Sequence, residues 1–340
     1  MSYPAQPFKD KDFSLSFYKL MIRARALEEK LIKMSKTQDG FFWIGGPGEE
    51  AFSIALGLLV NKGQGLDHDF LHLHYRSNGT LMAMGAPMLD FIRQMKCSEK
   101  DPFSGGRNFV SHVCRKEWNV APVTSTIETQ FSIAPGTARA QWRLRQQGKD
   151  SGITIVLGGD AGTAEGDFAT ALIWSSRPGE ELPLLMIVTN NQFGISTTYG
   201  TQHGEKNVAD RAKAFGIMSS TADGNNPEKA WAALSNAMDY VRNSGRPFLL
   251  ELSIARLNGH SSSSGANREE GFDCIDAFEK KLLKHSWITE DSIKKIRHEA
   301  TQEANDAYDI ARKEAYPDPK TLHEHTFANN KAGGLPGKDS

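Results

Sequence analysis

A chain of 340 residues, 39% hydrophobic and 24% charged, has the composition of a soluble globular protein and is long enough to bury a full core. Its 40 basic and 41 acidic residues leave a formal charge of −1, which supplies no general field for nucleic acid or an anionic membrane. No apolar run approaches the roughly 20 residues of a membrane span, the polar start Met1–Asp12 lacks a signal-peptide core, and the cysteines Cys97, Cys114 and Cys274 form no Cys-x-x-Cys pair, so a reduced, cytoplasmic setting is expected.

After an N-terminal arm over residues 1–12, Leu20, Ala24, Leu27 and Leu31 recur at helical spacing and predict an amphipathic packing helix over Phe13–Met34. Gly40 to Ala51 is a Gly-rich turn with Phe41, Phe42 and Trp43, leading into an apolar helix over Ala51–Val60, and core packing suits its aromatics. Phe70 to Gly79 reads as a strand-like piece carrying Tyr75 and Arg76. Arginine grips a phosphate bidentately and the tyrosine hydroxyl adds a bond, although Tyr-Arg alone is equally at home on plain surface. Gly105 to His112 is a polar Gly-rich loop between helical stretches, of the kind that often carries function, and its His112 reads by itself as a solvated side chain. The Ser and Thr residues of Pro122–Gln130 precede a helix over Phe131–Gln147, with Ala134, Ala138 and Trp142 inward, where such residues serve first as N-caps.

The branched runs Ile153–Leu157 and Leu184–Val188 read as strands buried on both faces of a parallel sheet, with a helical pattern over Phe168–Ser176 between them. The turns Gly158–Asp167 and Thr189–Gly194 therefore emerge at one sheet edge, where open α/β sheets bind ligands. There Asp160 offers a carboxylate and Asn191 an amide oxygen, hard donors suited to Mg²⁺ or Ca²⁺. Two side chains leave much of an octahedral shell to water and phosphate, and Gly159 and Gly162 let the backbone approach an anion. On these residues alone, an ordinary pair of α/β turns without ligand remains the competing reading.

Further on, Gly204–Phe215 is a loop with a short helix, Gly216–Asn226 a strand and turn, and Pro227–Ser244 an amphipathic helix beginning with proline. A buried strand over Pro247–Ser253 delivers Arg256 to Ser261 to the same edge, where His260 can donate to a phosphate or move a proton near neutral pH. The Ser- and Gly-rich loop Ser261–Gly271 is expected to be flexible without ligand or partner. Asp276–Lys284 and Thr289–Ala315 are charged helices whose mixed charges read as solvated faces, and Tyr316–Ser340 is an extended tail. The expected architecture is α/β: a parallel sheet with helices on both faces over residues 13–262, a C-terminal loop and helices over 263–325, and a tail over 326–340.

The text Gly159-Asp160-Ala161-Gly162-Thr163-Ala164-Glu165-Gly166-Asp167, with Asn190-Asn191 beginning 30 residues after Asp160, resembles the thiamine-diphosphate motif. With Gln192-Phe193-Gly194-Ile195-Ser196-Thr197 it is similar to the α subunits of the E1 component of 2-oxo acid dehydrogenase complexes, most like the branched-chain type, over about residues 15 to 325. That resemblance implies thiamine diphosphate and Mg²⁺, with Asp160, Asn191 and the Phe193 carbonyl on the metal. It implies Tyr75, Arg76, Ser125, Ile127, Gly159, Ala161, Gly162, Glu165, Thr189, Arg256 and His260 around the cofactor, Ile127 wedged between its two rings, and catalytic roles for His260 and His112. Thr124, Thr126, Thr129 and Gln130 are implied to surround K⁺. The sequence departs from the pattern at Thr189, where the branched-chain type has a phosphate-binding Arg, at Thr126 in place of Pro, at Glu128, an added charge, and at Ser264 in place of Asp. The implied activity is oxidative decarboxylation of a branched-chain 2-oxo acid with acyl transfer to the lipoyl domain of E2, in an α2β2 assembly whose E1 β subunit supplies the carboxylate for the pyrimidine ring. Pyruvate or acetoin dehydrogenase α subunits, and a non-catalytic cofactor-binding homologue, are the alternatives.

Overall fold

Helix α1 (Lys11–Lys36) begins where the Asp10 side chain accepts the Phe13 amide at 2.7 Å, and it buries Phe17, Met21, Leu27 and Leu31. The computed structural model describes residues 6–268 and 271–324; residues 1–5 of the arm and the tail 326–340 lie outside the described residues. There follow α2 (Glu50–Leu59), β1 (Phe70–His72), α3 (Asn78–Ala83), α4 (Met88–Met95), α5 (Thr129–Gln146), β2 (Thr154–Gly159), α6 (Gly166–Ser175) and β3 (Leu184–Asn190). The two-residue strands β4 (Phe193–Gly194) and β5 (Thr197–Thr198) precede α7 (Tyr199–Gln202), β6 (Met218–Asp223), α8 (Pro227–Ser244), β7 (Phe248–Ser253), α9 (Cys274–Lys284) and α10 (Glu290–Ala311).

Five strands make one parallel sheet in the order β1-β2-β3-β7-β6. Side chains alternate across a strand, and here both faces are covered. Ile155, Leu157, Leu185, Ile187, Leu250 and Leu252 face a core shared with α1, α2, α8 and α9, whereas Val156, Leu184, Met186, Val188 and Leu249 face α5 and α6. That two-sided burial is why these strands are continuous apolar runs rather than alternating ones. Their carboxyl ends are level, Gly159 pairing with Thr189 and Asn190 with Ser253, so the loops after them meet at one rim.

Several expectations are corrected. The strand-like piece ends at His72, because the Ser77 amide turns back to the His74 carbonyl at 3.1 Å. Asn78 then opens α3, whose Gly79 and Thr80 are poor helix formers; it is helical through packing, a Cβ on Gly79 meeting Ser53 Oγ at 2.5 Å. The Ser and Thr residues before α5 do not cap it: its N-cap is Glu128, in the left-handed region, and no side chain caps it. The described part of the arm is core rather than appendage, with Phe8 edge-on to Phe17, Trp231 and Phe278. The described part of the loop after Ser261 is tied down: Ser261 and Ser264 form a capping box and the Ser262 amide donates to the Trp43 carbonyl at 2.8 Å. The C-terminal helices are ion-paired to the body as well as solvated, through Arg23–Glu303 (2.6 Å) and Arg93–Glu314 (2.7 Å).

Burial also sets an acid limit. His72 is buried in β1 and desolvation lowers its pKa to about 4; His74 is driven well below its usual value by burial, then by Arg76. A histidine depressed in the folded state binds fewer protons there than unfolded, so its contribution is intact above pH 6.5 and is lost as pH falls towards 4. For His72 this amounts to roughly 3 kcal/mol. Urea unfolding of His72→Gln is expected to lose less stability between pH 7 and 4.5 than wild type; equal losses would show that His72 does not drive the acid slope.

Candidate active site

The rim carries a cavity of about 200 Å³, lined from the ends of β1, β2 and β3 and from the segment after β7. At its floor Asp160, the first residue past β2, is 1% exposed and its Oδ2 has no hydrogen-bond partner. Burial raises its carboxyl to about 6, opposed by the amides of Ala161, Asp160 itself and Asn191. The two consecutive asparagines divide the work because side chains alternate at a strand end. Asn190 turns away from the cavity and donates to Glu251 Oε1 at 2.7 Å, while Asn191 lines it, its Oδ1 accepting the Phe193 amide at 3.0 Å. Thr189 ties β3 to β2, its hydroxyl donating to the Gly158 carbonyl at 3.3 Å.

Across the cavity stand Tyr75 and Arg76. Arg76 is buried; Nη1 donates to the Gly45 carbonyl and Nη2 to His260 Nδ1 at 2.8 Å, with Nε 3.9 Å from Glu49 Oε1. The aromatic segment Gly40–Gly46 therefore serves mainly as a brace: Trp43 is fully buried, its indole N–H donating to Glu28 at 2.9 Å, and Gly45 aims Arg76. A guanidinium only donates, so His260 Nδ1 accepts and its proton sits on Nε2. Burial, then Arg76 and Arg256, lower His260 to about 4, which leaves a neutral imidazole acting as a donor.

Twelve of the expected residues line the cavity: Tyr75, Arg76, Ile127, Gly159, Asp160, Ala161, Gly162, Glu165, Thr189, Asn191, Phe193 and His260. Arg256 does not; its Nη1 donates to the Ile195 carbonyl at 2.7 Å and its guanidinium lies 4.6 Å from the Phe193 ring centre, bracing the loop that carries Phe193. His112 and Ser125 are off the lining and bonded to each other. The Val110 carbonyl 2.8 Å from His112 Nδ1 can only accept, so Nε2 accepts the Ser125 hydroxyl, and burial lowers the His112 pKa. Thr124, Thr126, Thr129 and Gln130 lie together in the segment that leads into and begins α5. Thr124 Oγ1 accepts the Thr126 amide (3.0 Å), Thr129 donates to the Thr126 carbonyl (2.8 Å) and Gln130 donates to the Leu157 carbonyl (3.0 Å), with Gln130 Oε1 buried and unpartnered.

His74, Glu128, Ile195 and Gln202 also line the cavity and were not among the expected site residues. His74 adjoins the Tyr-Arg pair and Glu128 was visible as an added charge; Ile195 and Gln202 carry no local signal. Burial raises Glu128 to about 8, the Gly159 amide opposing.

An unpartnered, desolvated carboxylate oxygen beside an amide oxygen is the donor set of a hard divalent cation. Among the described residues no group of three or more His, Cys, Asp or Glu is placed to hold a metal, so a cation here would need oxygens from other sources, such as backbone carbonyls, water or a bound anion. The donors facing Asp160 across the cavity, Arg76 and His260 Nε2–H, suit that anion.

Compared with known proteins, residues 18–320 match the dehydrogenase E1 component family. The chain is 25% identical over 324 residues to the 2-oxoisovalerate dehydrogenase subunit alpha of Bacillus subtilis, covering 93% of this chain and 95% of that one. It is 26% identical over 332 residues to the pyruvate dehydrogenase E1 component subunit alpha of Rhizobium meliloti, covering 92% and 89%. To the mitochondrial 2-oxoisovalerate dehydrogenase subunit alpha of Homo sapiens it is 25% identical over 332 residues, covering 94% and 72%. With a match that spans nearly its whole length, this chain belongs to the dehydrogenase E1 component family.

Proposed function

We propose that this chain is the α subunit of a thiamine-diphosphate-dependent 2-oxo acid dehydrogenase, decarboxylating a branched-chain 2-oxo acid and passing the acyl group to the lipoyl domain of an E2 partner. The observation that carries this reading is Asp160: a buried carboxylate with a free oxygen, lining the same cavity as Asn191 just past the ends of the neighbouring strands β2 and β3. Asp160, Asn191 Oδ1 and the Phe193 carbonyl would hold Mg²⁺, while Tyr75, Arg76 and His260 Nε2–H would grip the diphosphate. Thiamine diphosphate, when bound, supplies the carbanion chemistry that cleaves a 2-oxo acid beside its carbonyl. Ile127, 43% exposed at the cavity, is free to pack against the cofactor's organic part. The pyrimidine's carboxylate partner belongs to an E1 β subunit in this reading, so the chain alone is inactive and works in an α2β2 assembly.

The Bacillus relative's name favours 3-methyl-2-oxobutanoate, and the Rhizobium relative's name favours pyruvate at similar identity. Purified α chain, β subunit and their mixture are to be assayed with both acids and with acetoin. Turnover is expected in the mixture alone, fastest with 3-methyl-2-oxobutanoate. Preference for pyruvate or acetoin would move the substrate class, and cofactor binding without turnover would identify a non-catalytic homologue.

A further inference from the structure

Two glycines at the end of β2 and in the turn after it, Gly158 and Gly162, are already accounted for by a side chain. Glu128, the residue before α5, is 1% exposed and held at φ 34°, a left-handed conformation that costs an L residue energy and persists where surroundings impose it. Its Oε1 accepts the Gly159 amide at 3.3 Å and its Oε2 accepts Gln130 Nε2 at 3.3 Å. A Cβ built on Gly162 would fall 1.9 Å from Oε1, and one on Gly158 2.2 Å from Oε2. The bare backbone at 158 and 162 therefore makes room for this carboxyl group. It occupies the backbone donor and the space that a Gly-rich turn before a helix offers to a phosphate.

We propose that Glu128 is a built-in competitor for the diphosphate, holding the Gly159 amide in the unliganded chain and leaving the turn when the cofactor binds. Two acceptors cannot take one amide at full strength, and the carboxyl group and a phosphate cannot share the space beside Gly162. The carboxyl group also has somewhere to go, since Glu128 itself lines the cavity rather than lying beneath it. The consequence is a chain whose cofactor affinity is set below what its turn could deliver, with an unliganded turn kept filled. This inference rests on the diphosphate reading of the cavity.

The test is calorimetry of the full-length chain with Mg²⁺ and inorganic pyrophosphate, and again with Mg²⁺ and thiamine diphosphate, for wild type, Glu128→Ala, Glu128→Gln and Asp160→Ala. Glu128→Ala is expected to bind about tenfold tighter or more, the scale of a hydrogen bond to a charged group. Glu128→Gln, which keeps an acceptor oxygen and the volume, is expected to stay within about threefold of wild type. Asp160-dependent binding that is equal in wild type and Glu128→Ala, or weaker in the latter, overturns the proposal and leaves the diphosphate reading standing. So does equal tightening in both Glu128 variants, which would assign the effect to charge alone. Binding in none of the four chains rejects the diphosphate reading and this inference with it.

Discussion

Asp160→Ala is expected to abolish magnesium-dependent binding of thiamine diphosphate, weakening it about a hundredfold or more, without unfolding the chain. Asp160 is the carboxylate at the meeting point of the β2 and β3 loops, and its Oδ2 has no hydrogen-bond partner to lose. Its removal costs the unliganded fold the contacts with the Ala161 and Asn191 amides, but no partner of Oδ2. A carboxyl raised in the folded state, here from 3.8 to about 6, binds more protons folded than unfolded, so stability falls as pH rises through that window and stays low above it. Asp160→Asn should accordingly unfold at a higher temperature than wild type at pH 8, with the difference gone below pH 4. Calorimetry and thermal unfolding at the two pH values check both halves. Unchanged cofactor affinity in Asp160→Ala would remove the metal assignment, and a lower melting temperature in Asp160→Asn at pH 8 would show that the carboxylate is compensated by contacts not identified above.

The largest stability loss is expected at Arg25→Met, about 3–5 kcal/mol in denaturant unfolding. Arg25 is buried between α1, α2 and α9: Nε donates to Glu50 Oε1 at 2.6 Å, and Nη1 and Nη2 to Asp273 at 2.8 and 3.2 Å. Burial would raise the Asp273 carboxyl, but the hydrogen bonds and charges of Arg25, and then Arg268, hold it well below the usual carboxylate range. Deleting the guanidinium leaves Glu50 and Asp273 buried without their main counter-charge, and that desolvation dominates the cost. The damage also reaches the site. Glu50 Oε2 accepts the Gly48 amide at 2.9 Å in the turn whose Gly45 carbonyl aims Arg76, so diphosphate affinity should fall together with stability. Adding Glu50→Gln and Asp273→Asn to Arg25→Met removes the orphaned charges and should recover much of the loss. A single-variant loss below about 1 kcal/mol would mean that this ion cluster is solvated well enough to be replaceable.

The elements legible in the sequence are those whose signal is local. Ile155 to Leu157 and Leu184 to Val188 read as doubly buried strands because a strand covered on both faces has no room for polar alternation. Helix α8 carries enough turns for its apolar stripe to stand out, and the residues after β2 and β3 were assigned to one rim because parallel strands with a helical crossover leave no other place for them. Elements that depend on neighbours were missed. Helix α3 has weak intrinsic propensity and forms against α2, and α5 starts on a left-handed glutamate rather than on one of the hydroxyl residues before it.

By itself, then, the amino-acid order determined that a parallel sheet forms and that a carboxylate and two amides stand at its rim, since both follow from periodicity and spacing within some forty residues. Tertiary structure alone decided which asparagine faces the cavity, that His260 is a neutral donor set by Arg76 184 positions away, that His112 binds Ser125 instead of lining the cavity, and that Glu128 fills the glycine turn. The reason is physical: tautomer, charge state and occupancy depend on burial and on partners distant in the chain, and neither exists until the sheet and its covering helices have closed.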